Sequence, residues 1–334
     1  MNRVRLENWF NRIWYSDIRP PWWLLPFSWL YCGVVYARQL ARRLGLLKVV
    51  YPGVATIVVG NLTVGGTGKT PFVIALSRLL SVDGLRVGIV TRGYGGDARD
   101  WPCEVTTDSD PLKYGDEAVL LAGSTGVPVY AGPDRLAAAR ALLAEHSIDV
   151  LISDDGLQHT RLGRDIEIVM IDPERSFGNG ICLPAGPLRE PLSRLEDIDA
   201  TVALGMHPAA KFQFAAAPGE AINLATPARR LPLKDFAGKP CHAVTGIANP
   251  ERFFRMLKEQ GLQPDTRCFE DHHAFNAADI RFDDDSAVLM TAKDAVKCRK
   301  FANSNDWYVP LELHPDPAFK HWLLEILKRK TNLG

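Results

Sequence analysis

Residues 54–70 read VATIVVGNLTVGGTGKT. The apolar run Ala55 to Val59 has the composition of a buried strand, and a helix-like segment, Pro71 to Leu80, follows the glycines. Strand, glycine-rich turn, helix is the order of a phosphate-binding loop. Gly65, Gly66 and Gly68 let the backbone approach a polyphosphate and aim N–H groups at it. The helix that follows adds the positive end of its dipole. Lys69 reaches the outer phosphates, and Thr70 offers a hydroxyl to Mg²⁺. The usual pattern is G-x-x-x-x-G-K-[ST]; here Thr63 stands at its first glycine, and Thr67 precedes the last. The bland alternative is an ordinary glycine-rich strand-to-helix turn, which the correct flanks on both sides disfavour.

Working outward, apolar runs and helical patterns alternate. Strands are expected at Ala55–Val59, Arg86–Val90, Val127–Tyr130, Val150–Ser153, Ile166–Ile171 and Ala200–Leu204, with helices at Pro71–Leu80 and Asp134–His146 among them. Such alternation predicts a P-loop NTPase-like α/β fold, a mainly parallel sheet flanked by helices. Around residues 227–239 the chain turns polar and Pro-containing, and a second alternating block follows: Ala243–Thr245, Pro250–Glu259, Thr266–Phe269 and Ala287–Thr291. The expected organisation is an N-terminal anchor segment (1–45), a kinase-like core (46–226) and a smaller α/β lobe (227–313). The C-terminal helix (314–334) is expected to pack back on the core.

The 39 basic and 39 acidic residues cancel, so net charge gives no sign of nucleic acid as a partner. Hydrophobic residues make up 46% of the 334, enough for a substantial core. Six scattered Cys without a C-x-x-C spacing read as reduced cytoplasmic thiols rather than a zinc site or disulfide framework. A monomer is expected.

The N-terminus departs from this ordinary composition. No charged residue occurs from Pro20 to Ala37, and Trp9, Trp14, Trp22, Trp23 and Trp29 crowd the first 29 residues. Trp favours the membrane–water boundary. Eighteen helical residues would reach about 27 Å, the lower limit of a span. Pro26 is expected to break the helix, leaving Phe27 to Ala37, roughly 16 Å. Basic residues lie on both sides (Arg3, Arg5, Arg12, Arg19; Arg38, Arg42, Arg43, Lys48), so orientation is not chosen. The segment reads as a membrane-embedded or interfacial anchor; the competing reading is a hydrophobic helix packed on the protein's own core.

Several motifs could carry chemistry. VLISDD (150–155) is an apolar strand ending in carboxylates, and Asp154 or Asp155 could hold Mg²⁺. Asp116 and Glu117 sit before a helical run (118–122), where the dipole favours acids; a kinase also needs a carboxylate near the transferred phosphate. Asp271-His272-His273 follows a strand. Adjacent His side chains in extended chain face opposite ways, so one His beside a carboxylate is the better functional reading than a metal pair. Arg92 lies in a Gly-rich turn after a strand, Arg135 opens a helix after Gly132-Pro133-Asp134, and Arg189 lies in a Pro/Gly-stiffened loop; each could grip an anionic substrate, or could be a solvated surface charge.

The ordered set of motifs resembles one family, the tetraacyldisaccharide 4'-kinases of lipid A biosynthesis. The resemblance is carried by Gly60-Asn-Leu-Thr-Val-Gly-Gly-Thr-Gly-Lys-Thr-Pro71, Arg92-Gly-Tyr-Gly95, Gly115-Asp-Glu117, Asp154-Asp-Gly-Leu-Gln-His159 and Leu183-Pro-Ala-Gly-Pro-Leu-Arg-Glu-Pro191. Gly246-Ile-Ala-Asn-Pro-Glu-Arg-Phe-Phe254, Asp271-His272 and Thr291-Ala-Lys-Asp-Ala-Val-Lys-Cys298 complete it. The Thr63 variant is itself a family feature.

The resemblance implies ATP and Mg²⁺ at Lys69 and Thr70. It implies transfer of the γ-phosphate to the 4'-hydroxyl of a tetraacylated glucosamine disaccharide 1-phosphate, giving lipid IVA. It implies activation of that hydroxyl by Asp116 with His272, Glu117, Asp154 and Asp155 near the metal, and Arg92, Arg135 and Arg189 facing the substrate. Asp116 would come from the first lobe and His272 from the second, tying catalysis to lobe closure. The acyl chains would stay in the bilayer, and ATP would place the site on the cytoplasmic face of the inner membrane. The rivals are a P-loop kinase of another acceptor and a membrane-attached nucleotide switch.

Overall fold

The computed structural model of the chain describes residues 3–16 and 18–330. Positions 1, 2 and 17 of the anchor segment and 331–334 of the C-terminal segment lie outside the described residues, as do the side chains of Arg3 and Arg5. In chain order the first elements are α1 (Arg3–Tyr15), α2 (Leu25–Arg43), β1 (Ala55–Gly60), α3 (Lys69–Val82), β2 (Val87–Thr91), β3 (Cys103–Val105), α4 (Pro111–Tyr114), α5 (Asp116–Thr125), β4 (Val129–Ala131), α6 (Arg135–Glu145) and β5 (Val150–Asp154). They are followed by β6 (Ile166–Ile171), β7 (Ala200–Leu204), β8 (Phe212–Pro218), β9 (Ala221–Asn223), β10 (Arg230–Leu231), β11 (Cys241–Thr245), α7 (Pro250–Glu259), β12 (Asp265–Cys268), β13 (Ala287–Thr291), α8 (Ala292–Cys298), β14 (Asp306–Val309), β15 (Leu311–His314) and α9 (Pro317–Lys330).

The chain forms two compact units, each assembled from separated stretches. One comprises Met1–Lys69, Ile148–Ala215 and Pro315–Gly334; the other comprises Thr70–Ser147 and Ala216–His314. In the first unit β8, β7, β6, β1 and β5 lie side by side in that order, every pair parallel. All six residues of β1 are buried, which is why the strand reads as an unbroken apolar run rather than an alternating one. The register sets Val59 against Asp154, so the end of β1 that enters the glycine loop lies beside the carboxylates that end β5. Carboxyl ends of parallel strands are where such sheets receive ligands. On α9, buried Phe319 meets Phe212 and Phe214 edge-on, with ring centroids 5.3 and 5.0 Å apart.

The N-terminal helices belong to this unit. Pro26 does not break α2: it occupies the first turn, where its missing N–H costs nothing, after a 3-10 turn at Trp22–Leu24. The inward side of α2 carries Ser28, Tyr31, Cys32, Val35 and Gln39, one face of a 3.6-residue period. Tyr31 and Cys32 pack against a core of Val58, Leu62, Leu157, Val169, Ile171, Cys182, Leu188 and Ala203. Trp14 Nε1 donates to the Pro184 carbonyl at 2.9 Å, and the Ala185 N–H donates to Ser28 Oγ at 2.9 Å. The outward side is apolar too: Trp29, Leu30, Val34, Tyr36 and Leu40 are exposed, as are Trp22 and Phe27. Among the described residues no helix is long and apolar enough to cross a membrane.

In the second unit β2 and β4 pair parallel, with β3 antiparallel to β4. A six-stranded sheet runs β10-β9-β14-β13-β11-β12, parallel through β14, β13, β11 and β12 and antiparallel at β9 and β10. Phe253, Phe254 and Leu257 of α7 fill one face of it against Leu289 and Trp307. The fold is thus mixed α/β with large, mostly parallel sheets. The short strands β3, β9 and β10 escape sequence reading because two or three residues carry no period.

Candidate active site

The phosphate loop lies in the first unit and is braced from the side. Thr63 pairs antiparallel with Leu188, the Val64 N–H donates to the Pro187 carbonyl at 2.9 Å, and Arg189 N–H donates to Leu62 at 2.6 Å. The Pro/Gly-rich segment 183–191 therefore straps the loop, and Thr63 fits because an extended residue, not a turn, is needed there. Gly68 has φ +79°, and a Cβ on it would fall 2.4 Å from Leu204 Cδ1, so any other residue would strain the backbone and displace the Leu204 side chain. Beside Gly66 a Cβ would meet nothing within 4 Å, and the Thr67 hydroxyl is buried without a hydrogen-bond partner. Open backbone plus an unsatisfied donor beside a helix N-terminus suits a phosphate group. Lys69 Nζ donates to Asn61 Oδ1 at 3.0 Å and lies 3.4 Å from Asp155 Oδ1. Thr70 follows in the first turn of α3, half-buried.

Asp154 ends β5, almost fully buried. Asp155 follows at φ +48°, a conformation that a non-glycine residue keeps only when its surroundings hold it. Those surroundings include Lys69 and Arg189 Nη1, the latter 3.3 Å from Asp155 Oδ1. Carboxylates and hydroxyls are the hard oxygen donors that Mg²⁺ takes.

Asp116 and Glu117 lie in the second unit and form the first turn of α5 rather than a loop before it. Gly115 has φ +90°, and a Cβ there would fall 2.6 Å from the Tyr94 carbonyl. The Arg92-Gly-Tyr-Gly95 turn thus lies on the Gly115-Asp-Glu117 turn backbone to backbone, which accounts for glycine in both motifs. Asp116 is 4% exposed. Its Oδ1 accepts from the Glu117 N–H at 2.8 Å, and its Oδ2 lies 3.1 Å from His272 Nδ1. His272, at φ +62°, sits beside the Tyr94 ring, centroids 5.1 Å apart. His273 points elsewhere, to Asp279 Oδ2 at 3.0 Å. Asp116 and His272 were expected from different lobes; both belong to one compact unit, so their contact exists without any closure.

Burial pushes the Asp116 carboxyl up, but the His272 hydrogen bond and the charges of Lys293, His272 and Lys297 outweigh it, and the net shift is down. The same hydrogen bond raises His272 above the ordinary 6.5 against the opposing effects of burial and Lys293. The His272 contribution to stability is full below 6.5 and lost as pH rises through its folded pKa; that of Asp116 is present above 3.8 and lost as pH falls below it. An NMR titration should place His272 above 6.5, and Asp116→Asn should bring it down; an unmoved titration would contradict the pair.

The three arginines differ. Arg92 is exposed, 6.0 Å over the Tyr94 ring. Arg189 is half-buried on Asp155. Arg135 is 3% exposed, with Nη1 donating to the Gly132 carbonyl at 3.0 Å, and so holds the loop before α6.

A family model described as tetraacyldisaccharide-1-P 4'-kinase matches residues 20–328. The chain belongs to this family. It is 48% identical over 326 residues to the tetraacyldisaccharide 4'-kinase of Nitrosococcus oceani, covering 96% of each chain. It is 48% identical over 325 residues to that of Methylobacillus flagellatus, covering 97% of each. Its fold is similar to the crystal structure of LpxK from Aquifex aeolicus in complex with ATP, with TM-score 0.78 and 28% identity, covering 90% of this chain and 98% of that one. The tetraacyldisaccharide 4'-kinases are phosphotransferases of lipid A biosynthesis, and that activity comes with membership.

Within this 4'-kinase chain, sequence reading missed Lys293 and Lys297. Lys293 Nζ lies 3.3 Å from Glu117 Oε1, 3.3 Å from Asp271 Oδ1 and 3.9 Å from Asp116 Oδ2. Lys297 Nζ lies 3.8 Å from Asp116 Oδ2 and 3.1 Å from Asp294 Oδ1. The motif Thr291-Ala-Lys-Asp-Ala-Val-Lys explains how. Thr291 caps α8 by accepting from the Asp294 N–H, and buried Asp294 accepts from the Thr245 and Thr291 hydroxyls. That cap fixes the first turn from which Lys293 projects. Two Lys four apart share a helix face, which was the signal available in the sequence.

Proposed function

We propose that the chain transfers the γ-phosphate of ATP to the 4'-hydroxyl of a tetraacyldisaccharide 1-phosphate, giving lipid IVA, with Asp116 as base and His272 as its partner. The reading is carried by the buried Asp116–His272 contact, since a nucleotide switch without an acceptor has no use for it. Asp116 is ionised at neutral pH and able to accept the hydroxyl proton, while His272 fixes its orientation. The loop Thr63, Gly65, Gly66, Thr67, Gly68, Lys69 and Thr70 binds the phosphates, Lys69 countering the charge that develops on them. Bound Mg²⁺ would neutralise phosphate charge; Thr70, Asp154, Asp155 and Glu117 are the oxygen donors proposed for it. Arg92 and Arg189 serve the anionic substrate by direct reach, and Arg135 through the loop it holds. A monomer is proposed. ATP turnover should depend on added glycolipid; turnover indifferent to it would favour the switch.

Membrane attachment is proposed through α2 and the turn before it, at the cytoplasmic face of the inner membrane, where ATP is available. One side of α2 is fixed to the first unit, and the other exposes aromatic and aliphatic residues with Trp22 at 80% and Trp29 at 69%. That pattern suits a helix lying in the headgroup region, with Arg42 and Arg43 in its last turn. Deleting residues 1–37 would also strip Ser28 and Tyr31 from the core, so substitution on the outward face is the cleaner test. Trp29→Ser with Leu30→Ser should weaken binding to anionic vesicles by about a hundredfold or more, since each side chain contributes about 1.5–3 kcal/mol when buried and about 1.4 kcal/mol is tenfold. Undiminished vesicle flotation would place the attachment elsewhere.

A further inference from the structure

Two hydrogen-bonded chains run from the inward face of α2 to Lys69, all within the first unit. In one, Tyr31 Oη donates to the Arg189 carbonyl at 3.0 Å, Arg189 Nη1 lies 3.3 Å from Asp155 Oδ1, and Asp155 Oδ1 lies 3.4 Å from Lys69 Nζ. In the other, Gln39 Nε2 donates to Glu190 Oε2 at 2.9 Å, and Gln158 Nε2 donates to Glu190 Oε1 at 2.9 Å. Gln158 Nε2 also lies 3.4 Å from the Asn61 carbonyl, and Asn61 Oδ1 accepts from Lys69 Nζ at 3.0 Å. Glu190 and Asn61 are almost fully buried, and Arg194 Nε lies 3.4 Å from Glu190 Oε2. Asn61 in turn donates to the Thr63 carbonyl at 2.8 Å, inside the phosphate loop.

We propose that Tyr31 and Gln39 are positioning residues for Lys69, so that the helix seated at the membrane also sets the phosphate-binding lysine. The two chains converge on the same ammonium, one through its counter-charge and one through its hydrogen-bond acceptor. Buried polar networks of this kind hold a geometry only while each member is satisfied. Removing the Gln39 amide takes a donor from a buried carboxylate, which then competes for Gln158; removing the Tyr31 hydroxyl frees the Arg189 backbone that presents the guanidinium to Asp155. Nothing on the outward face of α2 is altered by either change.

The proposal rests on the reading of Lys69 as the phosphate-binding residue. The test uses the full chain in mixed micelles, with Tyr31→Phe, Gln39→Met and the double variant, and Lys69→Ala alongside. The double variant should raise KM for ATP about tenfold, the scale of a lost hydrogen bond to a charged group, with KM for the glycolipid and vesicle flotation unchanged. A merely structural role would lower the active fraction and leave both KM values alone. Tyr31→Phe removes a single oxygen, folds on the same packing, and should show part of the shift. If Lys69→Ala abolishes transfer while the double variant keeps the wild-type KM for ATP, or loses flotation in step with activity, the proposal is overturned and the reading of Lys69 stands. If Lys69→Ala transfers normally, both fall.

Discussion

Replacing Lys69 by Ala is expected to lower phosphate transfer by about 10²–10³-fold or more, the cost of removing one preorganised group from a developing charge. The effect should be large because Lys69 is held in place by the chain itself: it donates a hydrogen bond to Asn61 Oδ1 at 3.0 Å, and Asp155 stands 3.4 Å away. A preset ammonium loses little freedom on binding. Its removal also takes one cation from Asp155, which keeps its contact with Arg189 of the strap 183–191. Steady-state transfer assays would read the loss, and activity near wild type would refute the assignment of the loop.

Asp116→Ala should reduce kcat by about 10²–10⁴-fold while leaving KM for ATP near its normal value, because a base acts in the transition state rather than in nucleotide binding. The carboxylate is 4% exposed and ringed by His272, Lys293 and Lys297. Its removal leaves His272 and two lysines without their shared carboxylate, so a thermal melt should accompany the kinetics to show that the unit still folds. A pure KM effect would move Asp116 to a binding role.

What the sequence made legible was local. The phosphate loop is written in seventeen consecutive residues, and β1 carries a short, largely apolar run leading into the glycines, while β6 is apolar except for Glu167, which is buried against Arg164 and Arg194. Asp154 was readable because an apolar strand delivers it to the right end of the sheet. Asp116 and His272 are 156 positions apart, and no spacing rule joins them; only the resemblance to a family did. The lobe boundary read at residues 227–239 placed them in different lobes. Division of the chain by sequence order could not anticipate a compact unit built from Thr70–Ser147 and Ala216–His314. Lys293 went unread because a lysine in a short helix is ordinarily a solvated charge. Its three carboxylate partners come from α5 and the turn after β12. Arg135 shows the opposite case: an arginine that opens a helix looks available, yet this one is buried with Nη1 on the Gly132 carbonyl. For α2 the two competing readings each described one face, since a hydrophobic helix can dock inward and still present Trp29 and Leu30 outward.

The most direct test of the central claim is transfer of labelled γ-phosphate from ATP to a tetraacyldisaccharide 1-phosphate in mixed micelles, with Asp116→Ala in parallel. Label is predicted in the lipid with the natural chain and absent, or reduced at least a hundredfold, with the variant. ATP hydrolysed with no label in the lipid, or equal labelling by both proteins, would contradict it.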